Sequence, residues 1–157
     1  MTAPPLGSVL ETALYVDDLA RSATFFQRVL GLAVIFRNPR LVAFDAGPAS
    51  VLLIFARGGS VDDMIMPGGT IPGHDGQGPA HIAFAVSAVD LPAWRDHLRQ
   101  QGVAIRSEMV WPRGGHSLYF DDPDGHSLEY ICILPEQPRP DISATMPLSA
   151  WQALNAN

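Results

Sequence analysis

The sequence has one cysteine, Cys132, among its 157 residues. A disulfide framework within one chain is therefore excluded, as is a thiolate metal cluster. A reducing cytoplasm is the expected location. Long apolar runs are also missing. The longest, such as Val51 to Ala56, are strand-sized, far short of the roughly 20 residues a membrane-crossing helix requires, so no membrane partner is expected. The start, Met1-Thr2-Ala3-Pro4-Pro5, lacks the basic segment and apolar core of a secretory signal. Basic residues are few and scattered, ten against sixteen acids, for a net charge of −6. That balance argues against nucleic acid as a partner, because phosphate binding relies on clustered cations.

What is present suits a folded α+β protein. Apolar residues make up 47% of the chain and charged residues 17%. Fourteen glycines and fourteen prolines predict many turns. Val9 to Val16 alternates as a strand, with Leu10, Thr12, Leu14 and Val16 on one face and Glu11, Ala13 and Tyr15 on the other. Asp17 and Asp18 are candidates for the N-cap and first-turn acid of a helix with the apolar stripe Leu19, Phe25, Phe26, Val29 and Leu30, stopped by Gly31. Three strands are predicted next, at Ala33 to Arg37, Leu41 to Asp45 and Val51 to Ala56, with turns at Asn38-Pro39 and Gly47-Pro48. Residues 57–79 read as a long loop with one short helical turn near Val61 to Met64.

The pattern then begins again. Ala80 to Ser87 is a predicted strand with His81, Ala83 and Ala85 on one face, followed by a helix opened by Asp90 and Pro92 and ended by Gly102. Strands follow at Val103 to Ser107, His116 to Phe120 and Ser127 to Leu134, and Asp121 to Gly125 is the turn signal between the last two. Glu11 lies 20 residues before Gly31, and His81 lies 21 before Gly102. The offset of 70–71 residues predicts two tandem βαβββ modules, about 8–56 and about 80–134, whose sheets form a partly closed cleft. Residues 1–157 are expected to form one domain, with a tail at 135–157 carrying a short helix near Ala150 to Ala156.

The duplication places Glu11 and His81 at matching positions, and Glu129 lies in the final strand just past the turn. One imidazole and two carboxylates are a metal-binding donor set that leaves coordination positions open and balances a divalent charge. Taken singly, a strand Glu is more often solvated and a lone His more often structural. Glu129 also heads the expected catalytic residues, with His116 as an acid or base near neutral pH. Arg113 could hold an anionic group, and His74 in the long loop could cover a site. Tyr119 is a further pocket donor or a packing residue.

Three segments carry a family resemblance. They are Glu11 to Leu32, with "Glu-Thr-Ala-Leu-Tyr-Val-Asp-Asp-Leu" and "Val-Leu-Gly-Leu"; Gly78 to Val86; and Ser117 to Tyr130, with "Asp-Asp-Pro-Asp-Gly-His-Ser-Leu-Glu-Tyr". In order and spacing they resemble the vicinal oxygen chelate superfamily of glyoxalases, bleomycin-resistance proteins and extradiol dioxygenases. The resemblance implies one divalent metal ion (Fe, Mn, Zn, Ni or Mg) held by Glu11, His81 and Glu129. It implies a Lewis-acid enzyme acting on a small oxygen-chelating substrate, or an Fe(II) oxygenase. The alternative it carries is a non-catalytic protein that binds a small molecule or antibiotic. A homodimer is compatible with either. Two departures stand out. Glu11 occupies a position where extradiol dioxygenases usually have His, and Val51 to Phe55 offers no acid as a fourth ligand.

Overall fold

The computed structural model describes residues 2–112 and 114–132. Arg113, the predicted tail helix and the expected last two residues of the final strand lie outside the described residues. Two compact units are resolved. One comprises Leu10–His81 with Asp121–Ser127. Among the described residues, the other is built from those of 82–120, residues 128–132 and the residues before Leu10.

The first module contains β1 (Glu11–Val16), α1 (Leu19–Val29), β2 (Ala33–Arg37), β3 (Leu41–Asp45) and β4 (Val51–Ala56). Its sheet has the order β1-β4-β3-β2, with β1 and β4 parallel and the other pairs antiparallel. Strand alternation separates the two faces. Leu14, Val16, Val42, Phe44, Leu52 and Ile54 are buried on one face, where Phe25, Phe26 and Val29 of α1 supply the other half of a core. Glu11, Ala13, Tyr15, Leu53 and Phe55 take the opposite phase.

Local chemistry explains the boundaries of α1. Asp18 is its N-cap and accepts from the Ala20 and Arg21 amides at 2.9 and 3.0 Å. Asp17 is not a first-turn acid; its carboxylate pairs with Arg57 instead. Gly31, at φ +70°, takes the left-handed conformation that ends the helix. Asn38 makes the β2–β3 turn by accepting from the Arg40 and Leu41 amides.

The 57–79 segment differs from its expectation. A helical turn is absent near Val61 to Met64, and a short hairpin forms instead, β5 (Met64–Met66) and β6 (Gly69–Ile71). Gly69, at φ +145°, provides a turn conformation that a side chain would oppose. Three-residue strands carry too little periodicity to be read from sequence.

The second module repeats the first: β7 (His81–Ala85), α2 (Leu91–Gln100), β8 (Ile105–Val110), β9 (His116–Asp121) and β10 (Ser127–Cys132). Its sheet order, β7-β10-β9-β8, again sets the last strand beside the first. Leu98, Leu118, Phe120, Leu128, Tyr130 and Cys132 are buried in one core. Cys132 packs in the phase of Leu128 and Tyr130, as expected. Asp90 precedes α2, but its side chain makes no cap hydrogen bond; Pro92 in the first turn sets the helix start. The strand expected at Val103 to Ser107 instead runs through Val110, bent by a register shift between Ile105 and Ser107.

Candidate functional site

A cavity of about 680 Å³ lies over the open face of the first module's sheet. Its floor is Glu11, Ala13 and Tyr15 of β1, Leu53 and Phe55 of β4, and Leu41 and Ala43 of β3. Phe36, Asn38 and Arg40 form one rim, and Met64, Met66 and Ile71 of the β5–β6 hairpin form another. The lining is mainly apolar, with Glu11, Tyr15, Arg40 and His74 as its ionisable members. This is the usual composition of a small-molecule site, an apolar body with a few polar groups to orient the ligand.

His74 is fixed in the cavity wall. Its Nδ1 is 2.7 Å from the Tyr15 hydroxyl, its ring meets Phe55 edge-on at 4.7 Å, and its amide donates to the Ser60 carbonyl at 2.7 Å. Burial, and then the negative charge of Asp75, holds the Tyr15 phenol above its usual range. The loop segment that carries His74 is thus pinned by hydrogen bonds and ring contacts.

Glu11 and His81 are the first residues of β1 and β7, so the two modules place them at matching positions. His81 Nδ1 lies 3.0 Å from the Ser127 carbonyl. A carbonyl only accepts, so in this contact Nδ1 carries a proton and donates. Imidazoles that bind metals are commonly held in this way. Glu129 is 5% exposed. Tyr119 is hydrogen-bonded to it; burial, then the bond to Glu129 and its charge, raise the Tyr119 phenol, against a lesser lowering by Ser117. The donor types therefore fit a divalent ion. Among the described residues, however, no three His, Cys, Asp or Glu side chains are gathered as a metal centre.

His116 takes a different strand phase from Tyr119. It shares its strand phase with the core residues Leu118 and Phe120, whereas Tyr119, the partner of Glu129, has the other phase. Its charge bears on Glu108, which pairs with Arg95 of α2 at 2.6 Å. His116 thus faces the helix side of the sheet, away from Tyr119. Alternation along His116 to Phe120 was the available signal.

Other residues were less legible. Asp124, expected only to form a turn, accepts from the Asp17 amide at 2.8 Å, the Ser22 hydroxyl at 2.7 Å and the Arg21 guanidinium at 2.9 Å. His126 is buried. Its Nδ1 accepts from the Ala80 amide, so Nε2 carries the proton and donates to the Tyr15 carbonyl at 3.0 Å. Both ring nitrogens are used, which makes His126 structural. Arg40 escaped notice because it follows an Asn-Pro turn, where a solvated side chain is the ordinary expectation.

No helix among the described residues is long and apolar enough to cross a membrane. Comparison with known proteins identifies the fold. The glutathione transferase FosA of Serratia marcescens is 31% identical over 127 residues, covering 79% of each chain. The metallothiol transferase FosB of Bacillus licheniformis is 29% identical over 115 residues, covering 73% of this chain and 68% of its own. A crystal structure of lactoylglutathione lyase from Agrobacterium tumefaciens superposes with a TM-score of 0.74 at 29% identity, over 82% of this chain and 96% of that one. These relatives are named as enzymes, two transferases and a lyase, in agreement with the enzyme expected from sequence. The family model for the Glyoxalase/Bleomycin resistance protein/Dioxygenase superfamily matches residues 8–130, and the chain belongs to that superfamily.

Proposed function

We propose that this chain is a divalent-metal-dependent enzyme of the glyoxalase and fosfomycin-resistance type, acting on a small substrate with two adjacent oxygens. The observation that carries the reading is the state of His81. Its Nδ1–H donates to the Ser127 carbonyl, the kind of hydrogen bond that orients a metal-ligating imidazole. Glu11 and Glu129 are the proposed carboxylate ligands. When bound, the metal would polarise the substrate oxygens and stabilise a developing oxyanion. Tyr119 orients Glu129 through their hydrogen bond. Tyr15 and His74 form the wall against which the substrate body lies.

The relatives named above are transferases and a lyase, which favours the non-oxidative arm over Fe(II) oxygenation. By their names, two of them act with glutathione or its adducts, and a thiol or thiol adduct is the substrate class we carry forward. We propose further that the centre draws on two copies, Glu11 from one and His81 with Glu129 from the other. The cytoplasm is the proposed compartment.

Elemental analysis of purified protein tests the reading. Wild type should carry about one equivalent of a divalent ion, and His81→Ala and Glu129→Ala should lose most of it, as removal of one of three protein ligands demands. Equal metal content in all three proteins sinks the proposal. A metal-free wild type that is nevertheless stabilised by a small molecule would favour the non-catalytic binding alternative.

A further inference from the structure

All ten basic residues of the chain are arginines. Several hold acidic partners: Arg21 with Asp124, Arg57 with Asp17, Arg95 with Glu108 and Arg99 with Asp96. Arg40 differs. Its guanidinium meets only the Met64 Sδ at 3.6 Å and the Ser60 Oγ at 3.4 Å, a weak acceptor and a long contact. Its Nε is buried without a hydrogen-bond partner. Among the described residues no carboxylate lies in salt-bridge range of Arg40. Yet this side chain lines the cavity.

A guanidinium stripped of part of its water and given no counter-charge is unfavourable in the folded protein. The Asn38 turn nonetheless fixes its backbone, because Asn38 Oδ1 accepts from the Arg40 amide at 2.8 Å. The Arg40 carbonyl also accepts from the Ala56 amide at 2.8 Å. Position is therefore enforced while charge is left uncompensated. A planar fork with open N–H groups suits a carboxylate, which it can bind through two parallel hydrogen bonds. The cavity that it lines is also bounded by Phe36, Leu53, Phe55 and Met64.

We infer that Arg40 is a specificity-determining residue that binds the carboxylate of a substrate whose apolar body lies on Phe36, Leu53, Phe55 and Met64. Glu11 begins β1, whereas Arg40 adjoins β3 residue Leu41, which is in register with Phe55 and, through it, Tyr15. The two charges thus sit toward opposite ends of the sheet floor. The anion is recognised at the Arg40 end, and the Glu11 end is left for the metal. The overall negative charge of the chain would by itself favour a cationic ligand; the local cation in the cavity selects the opposite sign. The inference rests on the cavity being the substrate site of the proposed enzyme, and it does not require the metal.

The test compares cinnamate with its neutral isostere cinnamamide by titration calorimetry. Wild type should bind the acid roughly tenfold tighter or more, the effect of a charge-assisted pair. Arg40→Gln should bring the two affinities together, and Arg40→Lys should recover part of the preference. Arg40→Met, which removes the uncompensated charge, should melt no lower than wild type and also show no preference, which separates lost recognition from lost folding. His81→Ala should keep the acid-over-amide ratio even when metal is lost, so failure of the metal reading and failure of this one are distinguishable. Equal affinities in wild type, no binding of either compound by wild type, or a preference that survives Arg40→Gln overturns the assignment.

Discussion

Asp124 shows how much a single carboxylate can do when it arrives from a turn. Sequence identifies the turn, since Asp121 to Gly125 is dense in turn formers, and Asp122 Oδ1 indeed accepts the Asp124 and His126 amides. What the sequence could not disclose is that Asp124 then reaches the start of α1, over 100 residues earlier. Its side chain is fully enclosed. Burial works to raise its carboxyl, but the Asp17 amide, the Ser22 hydroxyl and Arg21 together hold it below the usual carboxylate range. A depressed folded pKa contributes stability that is present above the unfolded value and is lost as pH falls through the folded one. Asp124→Ala should therefore cost about 3 kcal/mol at neutral pH. The gap to wild type should narrow below about pH 4, where the unfolded carboxyl begins to protonate. Urea unfolding across a pH series measures this; a gap that stays constant to pH 2 or so would refute the ionic account.

Legibility among elements followed their length and periodicity. Helix α1 could be read from its stripe, its Asp18 cap and its Gly31 stop, because those signals are local and repeated. The β5–β6 hairpin could not, since three residues per strand give no period to detect. Its place is fixed by packing that the sequence does not advertise. A Cβ on Gly73 would fall 2.2 Å from the Val61 carbonyl oxygen, so the segment leaving the hairpin runs hard against the backbone entering it. The Gly73 amide also donates to Asp63 Oδ1 at 2.8 Å. Gly73→Ala must therefore push backbone from backbone, at a cost of about 1–3 kcal/mol. Since Met64, Met66 and Ile71 line the cavity, the same change should weaken ligand binding there. A melting curve and a cinnamate titration on Gly73→Ala check both effects. A variant with wild-type stability and affinity would mean that the close approach is not maintained in solution.

At the scale of the whole molecule, duplication was legible. The 70-residue offset predicted two like modules, and both sheets set their last strand beside their first. Glu11 and His81 head equivalent strands for that reason. The copies then diverge in one telling place: Glu129 is the third residue of β10, and Leu53 is the third residue of β4. One sheet thus offers His81 and Glu129, while the other offers Glu11 above an apolar cavity floor. The proposed donor set draws on both kinds of sheet. If two chains exchange these contributions across a two-fold axis, every dimer has two equivalent centres. A purified mixed dimer of Glu11→Ala with Glu129→Ala then has one centre carrying both substitutions and one carrying neither. It should retain about half the metal of wild type, whereas either variant paired with itself retains almost none. Differently tagged chains, purified as the mixed species and measured for metal per dimer, provide the comparison. Metal at background in the mixed dimer would confine the centre to one chain or remove it altogether, and a sedimentation mass of a monomer would exclude the exchange directly.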